Sequence, residues 1–145
     1  MYTHNELVIP QPADALWTPL VRASRWSTWY FNARAVRIEG GAADLGPGTR
    51  FRWVTFGMPL RSEVRVCDPP ARIGWTWSTL GAHGYHGWLL EPAPGGGTRV
   101  VTEETQRGPL AALIRYPMRA ALSAAHQHWL RQLATVPERD GGAGR

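Results

Sequence analysis

Two histidines three residues apart, His83 and His86 in "LGAHGYHGW", and two adjacent acids, Glu103 and Glu104 in "TRVVTEETQ", are the residues of this chain best suited to moving a proton. An imidazole beside apolar walls can titrate near neutral pH and serve as general acid or base. A carboxylate set among aromatic rings has its pKa raised by desolvation and can exchange protons with a bound molecule. The H-x-x-H spacing fits neither a helical i, i+4 zinc pair nor a finger, and no third Cys or His lies nearby in the sequence, so no metal is expected. His83 falls in a glycine turn and is expected in solvent. His86 falls in a strand beside Trp88, which makes it a candidate catalytic residue; its plainer role is a buried histidine hydrogen-bonded for structure.

These residues sit on strands. Short β-branched or aromatic runs, "RAVRIEG", "TRFRWVTFG", "PLRSEVRVCD", "RIGWTWS", "YHGWLLEP" and "TRVVTEETQ", are separated by the turn clusters "GGAADLGPG", "GMP", "DPPA", "LGAHG" and "APGGG". Six strands joined by short turns predict an antiparallel meander, and "NELVIP" predicts an earlier strand ended by Pro10. Alternation then assigns faces. Ile73, Trp75 and Trp77 share one, as do Phe51, Trp53 and Thr55, and His86, Trp88 and Leu90; the aromatic set is expected inside, with Arg50 and Arg52 in water. On the last strand Val100, Thr102 and Glu104 oppose Val101, Glu103 and Thr105. Both sets carry an acid, so the facing of Glu103 against Glu104 stays open, with Glu104 preferred as the second catalytic candidate. Glu63, in "RSEVR", is expected to make an outward salt bridge.

Trp53, Trp75, Trp77 and Trp88 can each be core, since large aromatics dominate buried area. Four on adjacent strands, with few Leu, Ile or Val beside them, predict instead a flat-walled cavity suited to a planar or polycyclic guest.

Two helical regions flank the meander. "PADALWTPLVRASRWSTWYFN" carries Pro12 at a helix start, Asp14 in the first turn and Pro19 as a breaker, which predicts two short helices. Ile114, Met118, Leu122, Ala125, Trp129, Leu133 and Val136 advance by three or four and share one face of a long helix that must pack on the sheet. Pro117 should kink or loosen its first turns. Met118 and Leu122 are expected on the cavity, and Arg115, beside the stripe, could pair with an anionic group at its mouth; a solvated flank is the alternative. His126 and His128 fall at the boundary of the stripe. The fold class is therefore α+β: a seven-stranded curved antiparallel sheet around a long C-terminal helix, with two short helices between the first and second strands.

The 145 residues suit one domain, read as residues 1–137, with the Gly-rich end at 138–145 expected to be a disordered tail. No apolar run approaches the roughly 20 residues needed to cross a bilayer, and the start has no signal-peptide character, so a cytoplasmic protein without a membrane partner is expected. The lone Cys67 agrees with a reducing compartment. All 16 basic residues are arginine, giving a formal charge of +5, but they are scattered along the chain, and nucleic acid is not an expected partner. There is no G-x-S-x-G, no Walker loop and no G-x-G-x-x-G before a helix; "PGGGTR" belongs to a hairpin turn. Nucleotide and covalent-serine chemistry are disfavoured, and no cofactor is expected.

Taken together, "IPQPADALWTPL", "RWSTW", "LGPGTRFRW", "VRVCDPPARIGWTW", "LEPAPGGGTRVVTEE" and "HWLRQLATV" resemble the helix-grip superfamily of pathogenesis-related allergens, START domains and bacterial polyketide cyclase/dehydrase proteins, over about residues 3 to 136. The resemblance implies the helix-grip fold and a deep apolar cavity that binds, carries or cyclises hydrophobic, often polycyclic molecules. It also implies that Tyr30 lines the entrance. Two functions follow as expectations. One is a cofactor-independent cyclase or dehydratase acting on an aromatic or polyketide-derived molecule, with His86 and Glu104 moving protons and Tyr30, Trp53, Trp75, Trp77, Trp88, Thr102, Arg115, Met118 and Leu122 holding the substrate. The other is a non-catalytic carrier of a hydrophobic ligand. A homodimer is compatible with either.

Overall fold

In a computed structural model the backbone is described for residues 1–142 and the side chains through Pro137. Seven strands form one antiparallel sheet in the order β1-β7-β6-β5-β4-β3-β2, with β1 Tyr2–Ile9, β2 Arg34–Ile38, β3 Arg50–Thr55, β4 Met58–Asp68, β5 Arg72–Thr79, β6 Ala82–Pro92 and β7 Thr98–Arg107. The six consecutive strands form the expected meander, and β1 adds to its β7 edge. Helix α1, Ala13–Val21, and a 3-10 segment, Ala23–Thr28, link β1 to β2. Helices α2, Pro109–Leu113, and α3, Arg115–Gly142, follow the sheet. Of the tail expected at 138–145, the last three residues lie outside those described.

Two prolines act differently from expectation or in a sharper way. Pro19 does not break its helix: α1 runs on to Val21 and ends at Arg22, whose ψ of 64° leaves the helical region. Near a C-terminus the missing proline N–H removes only one bond of a short ladder, so the turn survives. In the closing segment the interruption falls at Ile114, between α2 and α3, and Pro117 is the third residue of α3. There its N–H would have had no intrahelical acceptor, which is why the break precedes the proline.

Side chains alternate across the sheet as read from the sequence. Phe51, Trp53, Ile73, Trp75, Trp77, His86, Trp88, Leu90, Val100, Thr102 and Glu104 are all buried, whereas Arg50, Arg52 and Glu103 face solvent. Register aligns Thr3, Glu104, His86 and Trp75 directly opposite one another across β1, β7, β6 and β5, so four inward residues form a single row. The outer face has a row of its own. Arg37, Arg52 and Arg61 stand opposite one another on β2, β3 and β4. Arginines dispersed in sequence thus become neighbours in space, and among the described residues none of these three has an ion-pair partner. Glu63 does make its outward salt bridges, to Arg50 and Arg65.

Helix α3 lies across the concave face with Leu122, Ala125, Trp129, Leu133 and Val136 buried beneath it. It is pinned to β1 by Asn5, whose amide donates to the Ser123 carbonyl and the Gln127 side chain, each at 3.1 Å. Among the described residues no helix is long and apolar enough to cross a membrane.

Candidate functional site

The concave face is not the open, flat-walled chamber that four strand tryptophans suggest. Trp26, from the 3-10 segment, and Trp129, from α3, fill much of it. Both are essentially inaccessible, and the indole N–H of Trp26 donates to the Leu20 carbonyl at 3.0 Å. The rings interlock edge to face, with interplanar angles of 83° for Trp26–Trp129 and 78° for Trp88–Trp129. This is the geometry that aromatic quadrupoles favour. Trp75 and Trp88 are therefore core residues and do not reach the cavity, a correction to the sequence reading. Alternation places a ring on the inner face but does not say what other rings pack against it.

What remains is a cavity of ≈ 40 Å³ at the α2 end of the sheet. Tyr30, Trp53, Trp77, Met118 and Leu122 line it, joined by Leu60, Phe56 and Ile114. Tyr30 stacks on Trp129 at 4.4 Å and donates from its hydroxyl to the Ala125 carbonyl; burial pushes its pKa up to about 12. Trp77 lies over Gly84, where a Cβ would come within 1.9 Å of the Thr105 carbonyl and 2.8 Å of the indole. Only glycine lets the two strands and this ring approach so closely. The indole N–H groups of Trp77 and Trp129 have no partner among the described residues.

One part of this wall is polar. His86 and Glu104 are cross-strand neighbours, 1% and 7% exposed, and His126 of α3, 3% exposed, closes on them from above. Oε2 of Glu104 lies 3.4 Å from His86 Nδ1 and 3.0 Å from His126 Nε2. Its other oxygen accepts from the Gln106 amide at 2.8 Å. The far nitrogen of His86 meets the Thr102 hydroxyl at 2.7 Å, and that of His126 meets Thr3 at 3.4 Å. Every polar atom of the cluster has a partner, as burial demands. Burial, and then the neighbouring His126, push the His86 pKa well below its usual value. His86 is held neutral, not poised near pH 7 as its sequence context suggests.

The phase of β7 thus puts Glu104 inside and Glu103 outside, where Glu103 pairs with His4 at 2.8 Å. His83 is exposed. Thr102 is wholly buried and orients His86 instead of touching the cavity. Arg115 is exposed, with its guanidinium 4.6 Å over the Tyr116 ring, and does not reach this cavity, which corrects its assignment to the mouth. The break at Ile114 resets the phase of the helix and turns Arg115 away. His126, expected at the boundary of the stripe, is buried, and with Leu122, Trp129 and Leu133 it follows a four-three-four spacing along one face of α3.

A hypothetical protein of Helicobacter pylori superposes with a TM-score of 0.86 at 26% identity, over 93% of this chain and 86% of its own. The di-domain ARO/CYC StfQ from the steffimycin biosynthetic pathway gives a TM-score of 0.79 at 20% identity, over 97% of this chain and 52% of that one. DynU16, from the dynemicin biosynthetic locus, gives 0.69 at 22% identity, over 94% and 47%. This chain spans about half the length of these last two, and their likeness speaks to the fold. No curated protein matches the sequence. The family described as polyketide cyclase / dehydrase and lipid transport matches residues 4–138, nearly the whole chain, and this protein belongs to it.

Proposed function

We propose that the chain is an enzyme of the cyclase or dehydratase kind, acting without an organic cofactor on a hydrophobic, aromatic or polyketide-derived small molecule. The observation that carries this reading is the Glu104–His126–His86 cluster, the polar end of a cavity whose other walls are mostly apolar. The Glu104 carboxylate takes a proton from a carbon flanked by carbonyls, and the resulting enolate attacks a second carbonyl of the same folded molecule. His126 gives its Nε2 proton to the alkoxide that forms and recovers one from Glu104, 3.0 Å away. A second proton removal and return expels water. Confinement supplies proximity. Thr102 and Gln106 position His86 and Glu104. StfQ, described as a di-domain ARO/CYC, shares the fold and lends support.

The test is turnover of a poly-β-keto thioester mimic, followed as loss of water by mass spectrometry. Glu104→Gln and His126→Gln should each lower the rate by about 10²- to 10⁴-fold. Both should leave the affinity for a planar aromatic probe, read by tryptophan quenching, within a few fold. The carrier reading is favoured by the family's description, which includes lipid transport. It predicts the same affinities with no turnover by the unmodified chain.

A further inference from the structure

The polar cluster has a second property, independent of whether it moves protons. One ligand atom from each of His86, Glu104 and His126 lies within 4.8 Å of the other two. The two contacts to Glu104 Oε2, 3.4 Å and 3.0 Å, are close to the edges of a coordination tetrahedron. Zinc bonds of about 2.0–2.2 Å to nitrogen and oxygen set tetrahedral edges at about 3.3–3.5 Å, so these two need change by only tenths of an ångström, and the third edge, between the imidazole nitrogens, lies within 4.8 Å and closes by rotation of the rings. We propose that these three side chains form a binding site for a tetrahedral divalent cation, Zn²⁺ by preference, with the fourth position open to the cavity.

The surroundings argue for it as much as the ligands do. In protein zinc sites the ligating imidazole holds a partner at its other nitrogen, and the ligating carboxylate is itself hydrogen-bonded. Here Thr102 meets the far nitrogen of His86, Thr3 that of His126, and Gln106 the second oxygen of Glu104. A hydroxyl both donates and accepts. Each threonine can therefore donate to its imidazole in the metal-free state, when the near nitrogens carry hydrogens toward Glu104, and accept from it once those nitrogens bind a cation. The ligands come from β6, β7 and α3, so the site exists only in the folded chain, and the set of two histidines, one glutamate and an open position is that of a water-bearing zinc site. Occupancy removes the lone pairs that the proton-transfer reading requires, so a bound cation silences that chemistry.

The experiment uses the full chain, stripped with a chelator. Titration with Co²⁺ should give one equivalent bound with the intense visible absorption of tetrahedral cobalt, and Zn²⁺ should displace it. Glu104→Gln and His126→Gln should each weaken Zn²⁺ by at least tenfold in competition with a chromophoric chelator. Thr3→Val, which touches no metal, should weaken it by about 10- to 100-fold, as second-layer partners do. His4→Ala, which removes the exposed histidine between Glu6 and Glu103, should change nothing. Absence of tetrahedral cobalt in the unmodified chain overturns the proposal even if a variant fails to fold, and so does binding that follows His4. Neither result touches the turnover assay, so the two readings fail separately.

Discussion

A carboxylate that is 7% exposed must be held by donors, and Glu104 has three within reach, His86, His126 and Gln106. Its cross-strand neighbour His86 was legible from strand alternation; His126 was not, because a stripe drawn through Ala125 leaves it at the edge, whereas the packed helix buries both residues. The same limit explains Trp75 and Trp88, whose inward facing was readable but whose burial under Trp26 and Trp129 was not. Tyr30 gives a residue-scale test. Burial raises its pKa from the ordinary 10.0 to about 12. Because the folded value lies above the unfolded one, the stability tied to the protonated phenol is complete below pH 10 and is lost as the pH rises through about 12. Tyr30→Phe should flatten that alkaline loss in urea unfolding measured against pH. An unchanged alkaline limb would mean that the phenol ionises without opening the stack on Trp129.

At the scale of elements, strand order, hairpin turns and inner faces could all be read from period-two patterns and turn residues. Cross-strand register could not, because it depends on turn lengths and on a bulge between Arg34 and Arg37. Register is what places Arg52 between Arg37 and Arg61. Like charges directly opposite one another oppose pairing, each by some tenths of a kcal/mol in an exposed position. Arg52→Glu converts two repulsions into two attractions, and it should raise the unfolding free energy by about 0.3–1 kcal/mol, read as a higher urea midpoint at unchanged slope. The gain should shrink in molar salt, where exposed charges are screened. A gain that persists at high salt would point to strand propensity as its source.

For the whole molecule the decisive quantity is the cavity, ≈ 40 Å³ against the roughly 300–1,000 Å³ that enclose a typical small ligand. It has room for about three waters, so a polycyclic guest has to displace part of the wall. The sheet side is paired strand to strand, and α3 is buried along Leu122, Trp129 and Leu133, which leaves α2 as the weakest boundary. Only Ala111 of its five residues is buried, Leu113 is 81% exposed, and α3 resumes beyond the break at Ile114. Its anchor is narrow. The Leu110 N–H donates to the Gly81 carbonyl at 2.9 Å, and Gly108, at φ 108°, passes so near that a Cβ would lie 2.6 Å from that oxygen. Opening of α2 should therefore cost far less than global unfolding. In hydrogen exchange, the amides of Ala112 and Ile114, bonded to Gly108 and Leu110, should exchange orders of magnitude faster than those of β6 and β7. A planar aromatic ligand that fills the cavity should slow them selectively. If α2 is as protected as the central strands, entry must occur elsewhere, and the Phe56–Gly57 turn, whose strained Phe56 N–H is held by Asn32 at 2.8 Å, becomes the next boundary to open.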